Sequence, residues 1–331
     1  MINSIRNTVL AVANKNNYGY ISPQDFNLYC LQAQMDIFED YFYQYNNWIN
    51  RENQRSSGQG YANIVKSIEE VIDSFSAEAF LAQLAADQDL TNKYQLPPDY
   101  YLINKLFYYP TALYTGTNTL VAAFKLTDGT QSFVANPTTM LSPQIGSIIV
   151  NTTTGEQCFV TAVDNAITLS ISANIMNLND TYTIYNSRNI TEVERVNQNK
   201  LFLLTSSNLT APSTQYPAYV LGGASSNIAA GPTSIVGNTV DVYPTTIRQQ
   251  YAIKAQYIRY PLAPQWTYLE TSGNDPIFNP GDPLYQNFEL PASDEPNLIA
   301  KILQYVGIEI RESEVYQFGI NEENLDTQET S

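Results

Sequence analysis

Residues 14–50, NKNNYGYISPQDFNLYCLQAQMDIFEDYFYQYNNWIN, pass from a Gly-containing turn straight into one long aromatic helix. Pro23 suits the first helical turn, Ser22 can cap it, and Asp25 favours the positive end of the helix dipole. Apolar residues then recur at Leu28, Leu31, Met35, Phe38, Phe42, Tyr45 and Ile49, in alternating steps of three and four that make a packing seam. A second row, Phe26, Cys30, Ala33, Ile37, Tyr41 and Trp48, lies beside it. A single stripe buries a helix on its own domain, so two adjacent stripes point to a second protein. The row beginning at Leu28 is expected to pack within the subunit, and Phe26, Cys30, Ala33, Ile37, Tyr41 and Trp48 are the expected subunit-interface residues. A core helix with one wide stripe is the competing reading.

With 331 residues, 44% of them hydrophobic and 25 of them Tyr, the chain can bury two or three sizeable cores. Nothing at its start resembles a signal sequence, and no apolar run approaches the roughly 20 residues of a membrane span. The charge is −16, from 32 acidic and 16 basic residues, without the Lys/Arg cluster that grips phosphates, so affinity for nucleic acid is not expected. There is no His, which removes imidazole bases, the Ser-His and Cys-His nucleophile systems and His metal ligands. Cys30 and Cys158 are too few for a thiolate zinc site and read as buried small hydrophobes without a disulfide. Neither GxxxxGK[ST] nor GxGxxG occurs. No enzymatic activity and no cofactor are expected.

Asn14, Asn16, Tyr18, Gly19, Ile21 and Asp25 fit positions 1, 3, 5, 6, 8 and 12 of an EF-hand loop. One carboxylate, two amides and a Tyr are a poor calcium set, so the stretch reads as a turn that starts the helix, and no metal is expected. The acid pairs Glu39-Asp40, Glu69-Glu70 and Glu322-Glu323 diverge on a helix and read as solvated faces.

The pattern predicts an α+β chain. A helical subdomain spans 1–95, with helices at 3–14, 22–51, 62–73 and 76–87. A host β layer with a Pro-rich arm combines 96–110 and 187–290, and the arm is anchored by Tyr260, Trp266 and Tyr268. Between its parts, 111–186 alternates in short runs separated by turns, the pattern of an inserted antiparallel barrel or sandwich. A C-terminal helix and acidic tail fill 291–331. Asn151, Asn179 and Asn189 stand in Asn-X-Thr acceptor strings.

The opening NKNNYGYISPQDFNLYCLQAQMDIFEDYF resembles that of structural proteins of tailed bacteriophages, notably the crAss-like phages, and TVDVYPTTI, YIRYPLAPQW and FELPASDEPNLIAKILQYVGIEIRE resemble later parts of the same proteins. KLTDGTQSF, GSIIVNTTTGEQCFVTAVDNAITLSISANI and DTYTIY resemble a small β module of phage head and tail proteins. There NPTTMLSPQI replaces a shorter link. The resemblance implies a head-to-tail connector, an adaptor-like homo-oligomer, commonly a dodecameric ring, that meets the portal and other neck or tail rings. Such a protein lets DNA pass without specific binding, touches no membrane, and is assembled in the host cytoplasm into the virion. Another neck or tail-hub ring is the nearest alternative, and a glycan-binding β module with stacking aromatics is a third.

Overall fold

The computed structural model describes residues 1–13, 21–54, 64–84, 92–110, 112–133, 142–187, 190–222, 239–270 and 276–309. The protein is α+β, with helices before and after extensive antiparallel sheet in sequence. It divides into two compact units, one built from 1–75 with 260–331 and the other from 76–259. The Pro-rich arm beyond 260 therefore belongs with the helices, whereas the sequence pattern had grouped it with the β layer.

The helical unit contains α1 (Ile2–Ala13), α2 (Pro23–Gln54), α3 (Ile64–Asp73) and α5 (Glu295–Glu309), with a small ribbon of β15 (Tyr268–Glu270) and β16 (Pro276–Phe278). Ile2, Ile5 and Val9 repeat at helical spacing on α1 and are fully buried, as are Leu298, Ile302, Leu303 and Val306 on α5. Helices α1 and α2 both pack on α5.

In the β unit, β1 (Ser76–Phe80), β2 (Ala82–Gln83), β3 (Lys93–Gln95), β4 (Tyr100–Tyr108), β11 (Thr191–Arg195), β12 (Ala218–Gly222), β13 (Thr239–Tyr243) and β14 (Ile253–Arg259) form one sheet in the order β1-β14-β4-β11-β12-β13-β3-β2. Its two ends are consecutive in sequence. Ser76–Phe80 pairs with β14, the Leu81 N–H donates to Ile253 O at 2.8 Å, and the chain then bends to pair Ala82–Gln83 with β3. One bent segment thus closes the sheet into a near-barrel around Leu81, Tyr94, Ile103, Leu106, Val193, Val240, Val242 and Ile253. This corrects the helix expected over 76–87 as far as residue 84, and 85–87 lie outside the described residues. Ala, Glu and Leu favour helix in isolation, but Ala77, Ala79 and Leu81 alternate inward while Phe80 faces out, and sheet closure outweighs propensity. A short helix, α4 (Gln198–Thr205), makes the crossover between β11 and β12, the parallel pair of this sheet.

The inserted block forms a second, six-stranded antiparallel sheet, β5 (Ala112–Thr117), β6 (Lys125–Thr127), β7 (Ile148–Asn151), β8 (Gln157–Val163), β9 (Thr168–Ile171) and β10 (Thr181–Tyr185), ordered β5-β10-β7-β8-β9-β6. Thr119 N–H donates to Thr127 O at 2.7 Å, bringing the chain after β5 to β6 at the far edge. The core holds Leu126, Phe133, Ile149, Val160, Leu169, Ile171 and Ile184. All four residues of β7 are buried, because Ile149 points into this core while Ile148 and Val150 point out against Phe80, Tyr109 and Tyr185. Phe80 stacks on Tyr185 at 6.0 Å, and Tyr109 lies 5.4 Å from Phe80 and 5.7 Å from Tyr185. The Tyr185 hydroxyl donates to Gln250 O at 2.9 Å. The inserted sheet is thereby joined to the host sheet by packed rings as well as by its two chain crossings.

A buried carboxylate braces the inserted sheet. Asp128 accepts the Tyr182 hydroxyl at 2.8 Å, the Thr117 N–H at 3.3 Å and the Thr130 N–H at 2.9 Å. Gly116 is required beside it, since a Cβ there would lie 2.2 Å from the carboxylate. Burial alone would raise the Asp128 pKa, yet hydrogen bonds from Thr130, Tyr182 and Thr117 hold it below the usual value. A carboxylate whose folded pKa is depressed stabilises fully above the unfolded value of about 4 and loses that contribution as pH falls through the folded one. Asp128→Asn is expected to cost about 1–3 kcal/mol at neutral pH. In thermal unfolding between neutral pH and pH ~3, the gap between wild type and variant should narrow only below pH ~4; a gap constant across that range would contradict the brace.

Candidate functional site

The long helix begins as its sequence reads: Asp25 N–H donates to Ser22 Oγ at 3.1 Å and the Ser22 hydroxyl donates to the Asp25 carboxylate. Asp25, the last position of the EF-hand-like string, is thus engaged in the cap, while 14–20 lie outside the described residues. Among the described residues no group of three or more Cys, Asp or Glu side chains could hold a metal ion.

The two apolar rows of α2 are covered the other way round from the sequence reading. Phe26, Cys30, Ala33 and Ile37, expected at a subunit interface, are buried inside the chain's own core. Tyr41 is half-buried and donates to the Asp294 carboxylate, and burial, followed by that carboxylate and Asp40, pushes its hydroxyl pKa far above the ordinary value. The side chain of Trp48 lies outside those described. In the other row Leu28 is 55% exposed, Leu31, Met35, Phe42 and Tyr45 are partly covered, and Phe38 alone is buried, edge-on to Phe75 at 5.1 Å.

The reason is a third row that hydropathy alone hides. Asn27, Gln34 and Tyr41 recur every seven residues and hold the returning chain. Asn27 Oδ1 accepts the Trp266 N–H at 2.8 Å and its Nδ2 donates to Trp266 O at 3.2 Å. Fully buried Gln34 donates to Leu262 O at 2.8 Å and accepts the Glu289 N–H at 3.2 Å. Polar side chains that satisfy the arm's backbone draw the Phe26 side of the helix inward with them. A polar heptad in an otherwise aromatic helix was the available signal.

Of the arm residues, Trp266 is 2% exposed, and its ring lies under the Arg6 guanidinium at 3.9 Å and stacks near Tyr268 at 5.7 Å and Phe278 at 5.9 Å. Its Nε1–H donates to Asn3 Oδ1 at 3.1 Å. Tyr260 is partly exposed, with its ring 6.2 Å from Phe38.

Reactive groups in the β unit are turned to structural use. Asn151, in an acceptor string, is fully buried and donates to Asp180 Oδ2 and Ile175 O, each at 2.8 Å. Tyr182, Tyr185 and Phe133 are buried, leaving partly covered Tyr114 as the only Tyr of the inserted sheet with a ring for sugar to stack on. Burial pushes the Cys158 thiol up to about 12 and raises Cys30 well above its ordinary value, which suppresses the nucleophilic thiolate. Lys125 sits 2.7 Å from Ser170 Oγ, but its charge is matched by Asp164, whose carboxyl is lowered by hydrogen bonds from Lys125 and Ser170. A shallow groove of about 380 Å³ beside β4 and β11 is lined by Lys105, Glu192, Glu194, Arg195, Tyr216 and Tyr219; Lys105 pairs with Glu192 at 3.2 Å, so the groove carries balanced charge.

No protein-family model matches the chain, and no curated protein is significantly similar to it. Among the described residues no helix is long and apolar enough to cross a membrane.

Trp266→Ala is expected to destabilise the helical unit by about 3–5 kcal/mol, because the cavity opens beneath Arg6 and beside Tyr268 and Phe278. Hydrogen exchange should show α1 losing protection while the inserted sheet keeps its own; equal loss in both would contradict this placement.

Proposed function

We propose that this chain is a non-enzymatic structural subunit of a tailed-phage virion, a connector ring protein that joins portal to tail and lines part of the DNA passage. The observation that carries this reading is the incompletely covered apolar row on α2. Leu28 is more than half exposed, and Leu31, Met35, Phe42 and Tyr45 are incompletely covered, along the longest of the described helices. A long helix that fills its own core with one face and leaves a second apolar face outside suits a subunit that packs against a neighbour. The sequence resemblance at both ends of the chain supplies the particular assembly.

Two further observations support it. With a charge of −16, the chain repels phosphate within the Debye length of about 8 Å at physiological salt, which suits a wall past which DNA must slide. Both thiols and the Asp128 carboxylate are buried in the interior, where Asp128 braces the inserted sheet.

The purified full chain is expected to form a closed ring when mixed with portal assemblies, visible in particle images as a layer in contact with the portal, and to show no DNA retention at physiological salt. Leu28→Glu should weaken ring formation while leaving the thermal midpoint within the change expected of about 0.5 kcal/mol for a surface substitution. A chain that ignores the portal, or that forms a stable free oligomer of another symmetry, would refute the connector reading.

A further inference from the structure

We infer that the host sheet carries a slot for strand addition where β4 and β11 part, and that an acidic strand from residues 310–331 of a neighbouring copy fills it. The inference rests on the ring reading, which sets copies side by side. Strands β4 and β11 pair only at Tyr108, Phe107 and Leu106, opposite Thr191, Glu192 and Val193. Continued register would set Lys105 against Glu194 and Asn104 against Arg195. These four residues instead line the groove of about 380 Å³.

A bulge opens the split. On its other side β4 pairs with β14, where the register steps from Lys105 opposite Gln256 to Ile103 opposite Tyr257 and leaves Asn104 as an extra residue. An extra residue bends its strand and disrupts the ladder, a device found often beside functional sites. Among the described strands none pairs with Leu102–Lys105 on the β11 side. Across the split, the Glu194 N–H donates to Pro217 O and the Val196 N–H to Tyr219 O, each at 2.9 Å. The intervening Arg195 N–H therefore points the other way, toward β4. Two backbone edges face one wedge, and open edges of this kind are templates for another strand.

Side chains around the wedge select the occupant. Val193, Pro217 and Tyr219 are buried and supply its apolar lining. Tyr216 is 79% exposed, yet its turn is fixed: the Tyr216 N–H donates to Ser213 O at 3.1 Å and the Ser213 N–H to Tyr216 O at 3.2 Å. A ring held in place but uncovered suits packing against an entering side chain. Lys105 pairs with Glu192, and Lys200 reaches Glu194 from outside the groove. Among the described residues this leaves exposed Arg195 as the lining charge without an ion pair. A guanidinium with no carboxylate of its own favours an acidic strand.

Residues 310–331 lie outside the described residues and carry that chemistry in their sequence. The run VYQFGI, 315–320, is rich in β-branched and aromatic residues. Glu312 and Glu314 precede it and Glu322 and Glu323 follow it, so the strand brings carboxylates at both of its ends. The 22 residues beyond Glu309 span up to ~70 Å when extended. A globule of this length has a radius of gyration of roughly 20 Å, so the segment reaches an adjacent subunit. A strand passed from each copy to the next is a head-to-tail contact, the kind that closes as a ring.

The test places a photo-crosslinking benzoylphenylalanine at Phe318 of the full chain and assembles it on portal from equal amounts of light and heavy isotope-labelled copies. Adducts are expected on peptides that contain 102–105 or 216–219, joining light chains to heavy ones, and amide exchange at Leu102–Lys105 should slow on assembly. Arg195→Glu is expected to lower the adduct yield about fivefold with an unchanged thermal midpoint. In that background, Glu312→Lys with Glu314→Lys, or Glu322→Lys with Glu323→Lys, should restore the yield, according to the direction in which the strand enters. Tyr216→Ala serves as a second, uncharged variant that lowers it. If rings form on portal while adducts fall on other surfaces, or join no light chain to a heavy one, the inference is overturned and the connector reading stands. A yield indifferent to both Arg195→Glu and Tyr216→Ala would likewise overturn it. Absence of rings would remove both readings.

Discussion

The cluster of Phe80, Tyr109 and Tyr185 is the contact on which the β unit depends. Tyr109 follows β4 just before the chain departs into the inserted sheet, and Tyr185 ends β10 just before the chain returns. Two chain crossings alone would leave the inserted sheet swinging on hinges, as linked domains do by default. Three rings packed within about 6 Å of one another, with Ile148 and Val150 against them, convert the crossings into a solid joint. Aromatic contacts of this kind contribute beyond the area they bury. Phe80 reaches the joint only because the segment 76–83 is a bent strand, so the closure of the host sheet and the seating of the insertion are one event.

Several polar groups in the interior hold irregular backbone. Gln34 and Asn27 hold the arm, Asn118 joins two loops of the inserted sheet, and Asn151 ties a turn to Asp180. Their placement explains how long irregular segments remain ordered without regular hydrogen-bond ladders. The net negative charge of −16 makes the protein repulsive overall toward other anions.

Fold class was legible because its signals are local. The Ser22-Pro23 start, the three-four apolar steps that follow it, and the alternation of IIVN, QCFVTAV and TYTIY each reflect the period of the element that forms. The segment 76–83 was misread because Ala and Glu report helix propensity, while the pairing that makes it a strand lies more than 150 residues away at β14. The coverage of α2 was misread for a related reason. Hydropathy ranks Asn27 and Gln34 as outward, and only the arm, returning over 200 residues later, reveals why they turn inward. The candidate interaction faces were least legible, since exposure of an apolar residue is a property of what fails to cover it.

The nesting of the units has a consequence for synthesis on the ribosome. The inserted sheet is complete once the chain has passed Tyr185, the host sheet only after Arg259, and α1 and α2 must wait for α5, whose last described residue is 309. The protein therefore matures from its middle outward, although domains in a linear arrangement mature from the N-terminus. Helices α1 and α2 emerge first and are finished last, so their apolar rows remain open throughout elongation. During that interval α1 and α2 are the segments most dependent on a chaperone, and a nascent chain that stalls before α5 would display Phe26, Cys30 and Ile37 to solvent.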